Sequence, residues 1–170
     1  INAGDTVKWT WNATPHSTTS SPGGAVIWDS KTTNALGATF SVTFPSAGTN
    51  PYICTLHATL QNMKGSVVVL DVPPTVTITN PPDGTVLSAP ANIPLAATAS
   101  DPGGSVTNVQ FFQGTASLAN VTSSPYSVVV SSLGAGDYTF SAVASDNGGL
   151  RATNAIVVHV VTPVAIVLSA

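Results

Sequence analysis

The sequence is poor in charge. Only 6% of its 170 residues are Asp, Glu, Lys or Arg, against about 25% in an ordinary soluble domain. Glu is absent, and the cations are Lys8, Lys31, Lys64 and Arg151. With a net charge of −3 there is no basic stripe to neutralise phosphates, which argues against nucleic-acid binding. Long apolar runs are missing too. Nowhere do about 18 apolar residues follow one another, so no segment reads as a membrane-spanning helix. A single cysteine, Cys54, rules out an intramolecular disulfide and leaves the fold to packing alone. No basic segment followed by an apolar core opens the chain at Ile1, so a secretory leader is read as removed or not included.

What is present is Thr, Ser, Val, Ala, Gly and Pro, a vocabulary of strands and turns with few good helix formers. Val, Ile, Leu, Phe and Trp recur at regular spacing, which argues against disorder. The expected fold class is all-β. The texture changes near Val72. Residues 1–71 hold all three Trp, the one Cys, the one Met and two of the three His, with three cations balanced by three Asp. Residues 72–170 hold one cation and four Asp. Between them, Asp71-Val72-Pro73-Pro74 reads as a short stiff linker. The expected division is residues 1–71, residues 72–162, and a segment 163–170 that is either a C-terminal strand or the start of something further.

In the second part, strands are expected at Thr75–Thr79, Ile93–Ser100, Val106–Gln113, Tyr126–Val130, Gly136–Ser145 and Ala155–Val161, with turn signals between them as in a β-sandwich. Val76 and Ile78 share a face, as do Tyr138, Phe140, Ala142 and Ala144. Ala97-Thr98-Ala99-Ser100-Asp101-Pro102-Gly103-Gly104 is echoed by Ala142-Val143-Ala144-Ser145-Asp146-Asn147-Gly148-Gly149. The favoured reading is two similar turns, in which Asp bonds its own backbone and Gly takes positive φ. The alternative is a cation or ligand site built from Asp101 and Asp146. His159 alternates with valines and reads as a half-exposed structural residue. On Val76–Gly84, Val109-Gln110-Phe111-Phe112, Ser124-Pro125-Tyr126, Ala135–Thr139 and Ala144–Gly149, this part resembles bacterial immunoglobulin-like modules. That resemblance implies a spacer or adhesive unit.

The chemistry lies in the first part. Strands are expected at Thr6–Trp11, with Val7, Trp9 and Trp11 on one face, at Thr39–Phe44, and at Ser66–Leu70, a nearly continuous apolar run. Between the last two lies a loop, Tyr52–Gly65, that carries Cys54, His57 and Met63, while His16 follows Pro15 after the Trp-rich strand. Two imidazoles and a thiolate in a trigonal set, with a distant thioether, suit copper cycling between two oxidation states. Zinc fits Cys54, His16 and His57 less well, because a thioether is a poor fourth ligand for it. Singly, Cys54 reads as a small buried hydrophobe and Met63 as a gap filler; together the set points to a metal. The sequons Asn12-Ala13-Thr14 and Asn120-Val121-Thr122 matter only in a glycosylating host.

On Ala3-Gly4-Asp5-Thr6-Val7-Lys8-Trp9, Pro15-His16-Ser17, Phe44–Thr49, Tyr52–His57 and Met63-Lys64-Gly65, residues 1–70 resemble the cupredoxin family, the plastocyanin-like blue copper proteins. The resemblance implies His16, Cys54 and His57 as equatorial ligands of one type 1 copper and Met63 as the axial one. Five residues separate His57 from Met63, more than the family pattern has, and Gln61 is the alternative axial donor. The family also has a strand before the Gly4-Asp5 turn that is missing here. The expected architecture is therefore two Greek-key β-sandwiches in tandem, a cupredoxin-like one incomplete at its N-terminus and an Ig-like one.

Pro163–Ala170 alternates like a strand and is a candidate to fill that gap in a neighbouring molecule by strand donation, building a filament. The other reading is that both ends are cuts in a longer protein. The functional expectation is an exported, non-enzymatic protein, in the periplasm, at the cell surface or outside the cell. It transfers electrons through copper to an unidentified redox partner, without nucleic acid and without a membrane span. Ser, His and Asp occur, but His16 and His57 are better used on metal than in a hydrolase triad. The alternative is a structural subunit of a cell-surface or extracellular filament, a homo-oligomer, and copper storage or delivery is a third option.

Overall fold

Every regular element among the described residues is a β-strand, as a chain rich in β-branched residues and turn formers should give. The structure is a computed structural model and describes residues 1–59 and 61–164. It divides into two compact units, one of Ile1–Val72 with Pro102–Gly104, the other running from Pro73 without that loop.

In the first unit, β1 (Thr6–Thr10), β2 (Thr19–Ser20), β3 (Thr39–Thr43), β4 (Gly48–Ile53) and β5 (Lys64–Val69) form two antiparallel sheets, β1-β3 and β2-β4-β5. Val7 lies opposite Val42 and Trp9 opposite Phe40, so the inward positions of both strands coincide while Thr6, Lys8 and Thr10 face out. They pack on a core of Trp28, Phe44, Val67 and Val69. The rings of Trp9, Trp28, Phe44 and Tyr52 form neighbouring pairs with centroids 5.4–6.5 Å apart, within the range of favourable aromatic contact. Trp28 keeps its polar atom satisfied, its Nε1–H donating to Thr18 Oγ1 at 3.1 Å.

The expected apolar strand at Ser66–Leu70 is β5; Val67 and Val69 point inward, and Val68 and Leu70 are 52% and 57% exposed, because side chains alternate across a strand whatever their polarity. The Tyr52–Gly65 loop is shorter than it reads. Tyr52 and Ile53 end β4, paired with Gly65 and Lys64 of β5, so the free loop is residues 54–63.

In the second unit, β6 (Thr75–Asn80), β7 (Thr85–Ser88), β8 (Ala91–Ser100), β9 (Val106–Gln113), β10 (Ala116–Val121), β11 (Tyr126–Leu133), β12 (Gly136–Asp146) and β13 (Arg151–Val161) form a sandwich. One sheet has the order β10-β9-β12-β13-β7, the other β11-β8-β6. The chain leaves the first sheet after β10 and returns with β12 beside β9, a Greek-key path. Ile93 and Leu95 of β8 meet Val109, Phe111, Phe140 and Val158 in one fully buried core. The sequence reading missed β7 and β10. β7 is four residues long behind a Pro-Pro-Asp-Gly turn and pairs in parallel with β13. β10 is an edge strand with an irregularity between Ser117 and Ala119 and no fully buried position, so it shows no period of two. His159 lies on β13, its Nδ1 2.6 Å from Asp137 Oδ1. The proposed donor strand Pro163–Ala170 lies, from Ala165 on, outside the described residues.

Candidate metal centre

Three segments bring the donor atoms together. Past β1 the chain turns through the buried Trp11 to His16, whose N–H donates to Thr33 O at 3.3 Å and whose carbonyl accepts the Thr33 N–H at 2.9 Å. This two-bond bridge holds the His16 backbone in place. The second segment is the end of β4, where Cys54 follows Ile53 and its N–H donates to Met63 O at 3.0 Å. The loop then closes on itself. The His57 N–H donates to Cys54 O at 3.1 Å, and the Gln61 and Met63 N–H groups both donate to His57 O at 3.2 Å. Ser17 ties the first two segments together. Its N–H donates to Cys54 Sγ at 3.4 Å, and its Oγ accepts the Thr55 N–H at 3.0 Å and lies 3.0 Å from Thr55 Oγ1.

The result is a tight triangle. His16 Nδ1 and His57 Nδ1 are 3.1 Å apart, Cys54 Sγ is 3.4 Å from His57 Nδ1, and it is 3.8 Å from His16 Nδ1. The circle through three atoms with these separations has a radius of about 2.0 Å, close to metal–imidazole bond lengths of about 2.0–2.1 Å. Two imidazoles and a thiolate in a trigonal set are the donors of copper sites completed by a weak axial thioether, so the residues fit the metal that the sequence suggests. Cys54 is 2% exposed, and both histidines are half-buried. Burial pushes the Cys54 thiol up. Hydrogen bonds from the Ser17 and Leu56 backbones and from the His57 side chain and backbone outweigh that and bring it from 9.0 down to about 7.

Met63 sits beside this triangle. Its backbone is locked to Cys54 and His57 as above, and it borders, with Trp9, Trp11, Tyr52, His16 and Cys54, a cavity of about 400 Å³. Its side chain is among the exposed apolar ones, at 41%. The contacts that fix Met63 run through its main chain, while His16, Cys54 and His57 bring their donor atoms within 4.8 Å of one another. Gln61, the alternative, is exposed. The sequence reading did not find the Ser17 amide, a group that carries no side-chain signature. Its position next to His16 was the available hint. It also missed that Gly65 lets Tyr52 lie across β5: a Cβ there would come within 2.7 Å of the Tyr52 ring.

Comparison with known proteins agrees with this geometry. Residues 1–70 match the family described as copper binding proteins, plastocyanin/azurin family, and residues 74–142 match the bacterial Ig domain. A search of curated proteins returns no match. Among solved structures, the fibronectin(III)-like modules of Clostridium thermocellum CbhA are similar at 28% identity over 54% of this chain and all of that one, with a TM-score of 0.49. The PKD1 domain of Vibrio anguillarum Epp is similar at 18% identity over 55% of this chain and all of that one, TM-score 0.43. The three N-terminal domains of the bacteriophage RB49 outer capsid protein Hoc align at 14% identity over 94% of this chain and 55% of that one, TM-score 0.44. No helix among the described residues is long and apolar enough to cross a membrane. The chain thus joins a copper-binding domain of the plastocyanin/azurin family, over residues 1–70, to a bacterial Ig domain over residues 74–142.

Proposed function

We propose that residues 1–70 transfer single electrons through one mononuclear copper centre, which His16, Cys54 and His57 would hold with Met63 as the fourth donor, in an exported, non-enzymatic protein. The observation that carries this reading is the convergence of Nδ1, Nδ1 and Sγ to 3.1–3.8 Å. When bound, copper supplies a one-electron couple between its two oxidation states. The chain's own residues supply the rest. The Thr33 bridge, the Ser17–Thr55 link and the Cys54–Met63 hydrogen bond hold the donors in place before metal arrives, so little need move when the charge changes. Burial of Cys54 keeps water from its sulfur. The lowered ionisation of its thiol lets it shed its proton near neutral pH.

Met63 is favoured over Gln61 because it borders the same cavity as His16 and Cys54. Leu56 and Met63, both exposed beside half-buried His57, offer a redox partner an apolar approach to the centre. Export is inferred from the charge-poor faces covered by Ser and Thr and from the adjoining bacterial Ig domain.

The test is addition of Cu(II) to the metal-free chain, followed by visible absorption. The expected result is an intense thiolate charge-transfer band saturating at one copper per chain, and its loss in Cys54→Ser. No band in the wild type, or an unaltered band in Cys54→Ser, overturns the reading. A second reading, a structural subunit of a filament, draws on the edge of β1, which pairs only with β3 among the described residues, and on the exposed Ile27 and Leu36. Electron microscopy of the same preparation tests it.

A further inference from the structure

The Ig-like unit holds a buried acidic group that the metal centre does not use. β12 ends at Asp146, and the turn that follows is organised around this side chain. Asp146 Oδ1 accepts the N–H groups of Gly148 and Leu150, both at 2.8 Å. Its other oxygen is different. Asp146 is only 4% exposed, and its Oδ2 is buried without a hydrogen-bond partner among the described residues. Neither ion pair among the described residues, Asp29–Lys31 or Asp137–His159, involves it. At the end of β8, Asp101 brings a second carboxylate oxygen within 4.8 Å of one of Asp146's.

A buried carboxylate oxygen with neither donor nor counter-charge is costly, and a second carboxylate nearby adds repulsion. Hydrogen bonding within the turn accounts for Oδ1 but leaves Oδ2 unexplained. A bound cation resolves both problems at once. The donors are oxygen only, which selects a hard ion over copper or zinc. Two carboxylates on irregular turns suit an ion that accepts 6–8 oxygens in loose geometry, with backbone carbonyls and water completing the shell, which is Ca²⁺ rather than Mg²⁺.

We propose that Asp101 and Asp146, at the end of the Ig-like sandwich where β8 and β12 finish, bind a calcium ion. The site is independent of the copper reading, since it shares no residue with His16, Cys54 and His57. The experiment uses the full chain, copper-free and treated with chelator, titrated with CaCl₂ by calorimetry and followed in thermal unfolding by circular dichroism.

One Ca²⁺ should bind per chain with a Kd on the order of 10⁻⁴–10⁻³ M, as in extracellular modules. At 10 mM CaCl₂ the transition of the Ig-like unit should rise by about 5 °C or more. Asp146→Asn, which keeps the Oδ1 acceptor, and Asp101→Asn should each weaken binding at least about tenfold, while Cys54→Ser binds Ca²⁺ as the wild type does. If Asp146→Asn fails to fold, the half-buried Asp101→Asn decides alone. Absence of heat and of a thermal shift in the wild type at 10 mM overturns the proposal. So does undiminished binding in a folded Asp101→Asn or Asp146→Asn, or an equal response to MgCl₂.

Discussion

The thiol of Cys54 is the most sensitive probe of how the metal centre is prepared by the polypeptide alone. In the metal-free chain it ionises at about 7 instead of 9.0, so at pH 7.5 about three-quarters of it is thiolate rather than about 3%. Burial opposes this, and the N–H groups around the sulfur overcome it. The same difference is a stability statement. Between pH 7 and 9 the folded state holds the thiol deprotonated while the unfolded state holds it protonated, so folding is favoured as the pH rises. The contribution is complete above about pH 9, shrinks as the pH falls, and is gone below about 7. Its ceiling is on the order of 2–3 kcal/mol. The perturbation is Cys54→Ser, which removes the titration but leaves every other group in place. Urea unfolding of the first unit can be followed by tryptophan fluorescence, because Trp9, Trp11 and Trp28 all lie in it. The expected outcome is a stability difference, wild type minus Cys54→Ser, that rises from pH 7 to 9, alongside a thiolate ultraviolet absorbance with its midpoint near 7. A midpoint near 9, or a difference flat across that range, refutes the argument that the backbone preforms a thiolate site.

Two further outcomes test the packing around the two units. Gly65→Ala places a Cβ within 2.7 Å of the Tyr52 ring, which is held by Trp9 and Trp28 at centroid distances of 5.6 and 6.2 Å; it should cost about 1–3 kcal/mol and shift the tryptophan emission, measured in the same urea titration. Asp137→Asn breaks the cross-strand pair with His159, but the side chains are 76% and 42% exposed, so the second unit should lose no more than about 1 kcal/mol, read by circular dichroism; a larger loss would mean that the pair is not a solvated surface contact.

The strands legible in the sequence were those with one face in a core. Val76 and Ile78, or Phe140, Ala142 and Ala144, alternate because one side of the strand must be apolar and the other need not be. β7 and β10 escaped because they sit at sheet edges, where neither face is fully enclosed and the alternation fades. The donor triad was legible because Cys and His are rare in this chain: Cys54 and His57 lie three positions apart, and His16, 38 positions before Cys54, is the other imidazole of the first part. Met63 shows the limit of such reasoning. Its residue type points to copper, but what the structure fixes is its carbonyl and amide, and its side chain stays partly in solvent. Likewise the two Asp-x-Gly-Gly turns look alike in sequence, and only the fold distinguishes the satisfied Oδ1 of Asp146 from its buried, unpartnered Oδ2.

The scarcity of charge acquires a physical role once the site is in view. Cys54 lies 2% exposed in a unit where Lys31, the one cation in an ion pair there among the described residues, is engaged with Asp29 on the surface. The groups that bring the sulfur's ionisation down are therefore N–H dipoles of Ser17, Leu56 and His57 and the His57 ring, not neighbouring ammonium or guanidinium charges. Dipoles fixed in the backbone do not swing away or gather counter-ions as a lysine would, so the field at Sγ depends on the loop's hydrogen bonds and little on salt. A substitution that loosens the Ser17–Thr55 link should then raise the Cys54 thiol as effectively as removing a formal charge would elsewhere. Thr55→Val is the direct case: it removes the Thr55 Oγ1 contact with Ser17 Oγ at 3.0 Å while leaving the Thr55 N–H in place. The thiolate midpoint should move up from about 7 toward 9.0, measured by the same absorbance titration; a midpoint unchanged in Thr55→Val would mean that the Ser17 amide is held by the chain on its own and the side-chain link is dispensable.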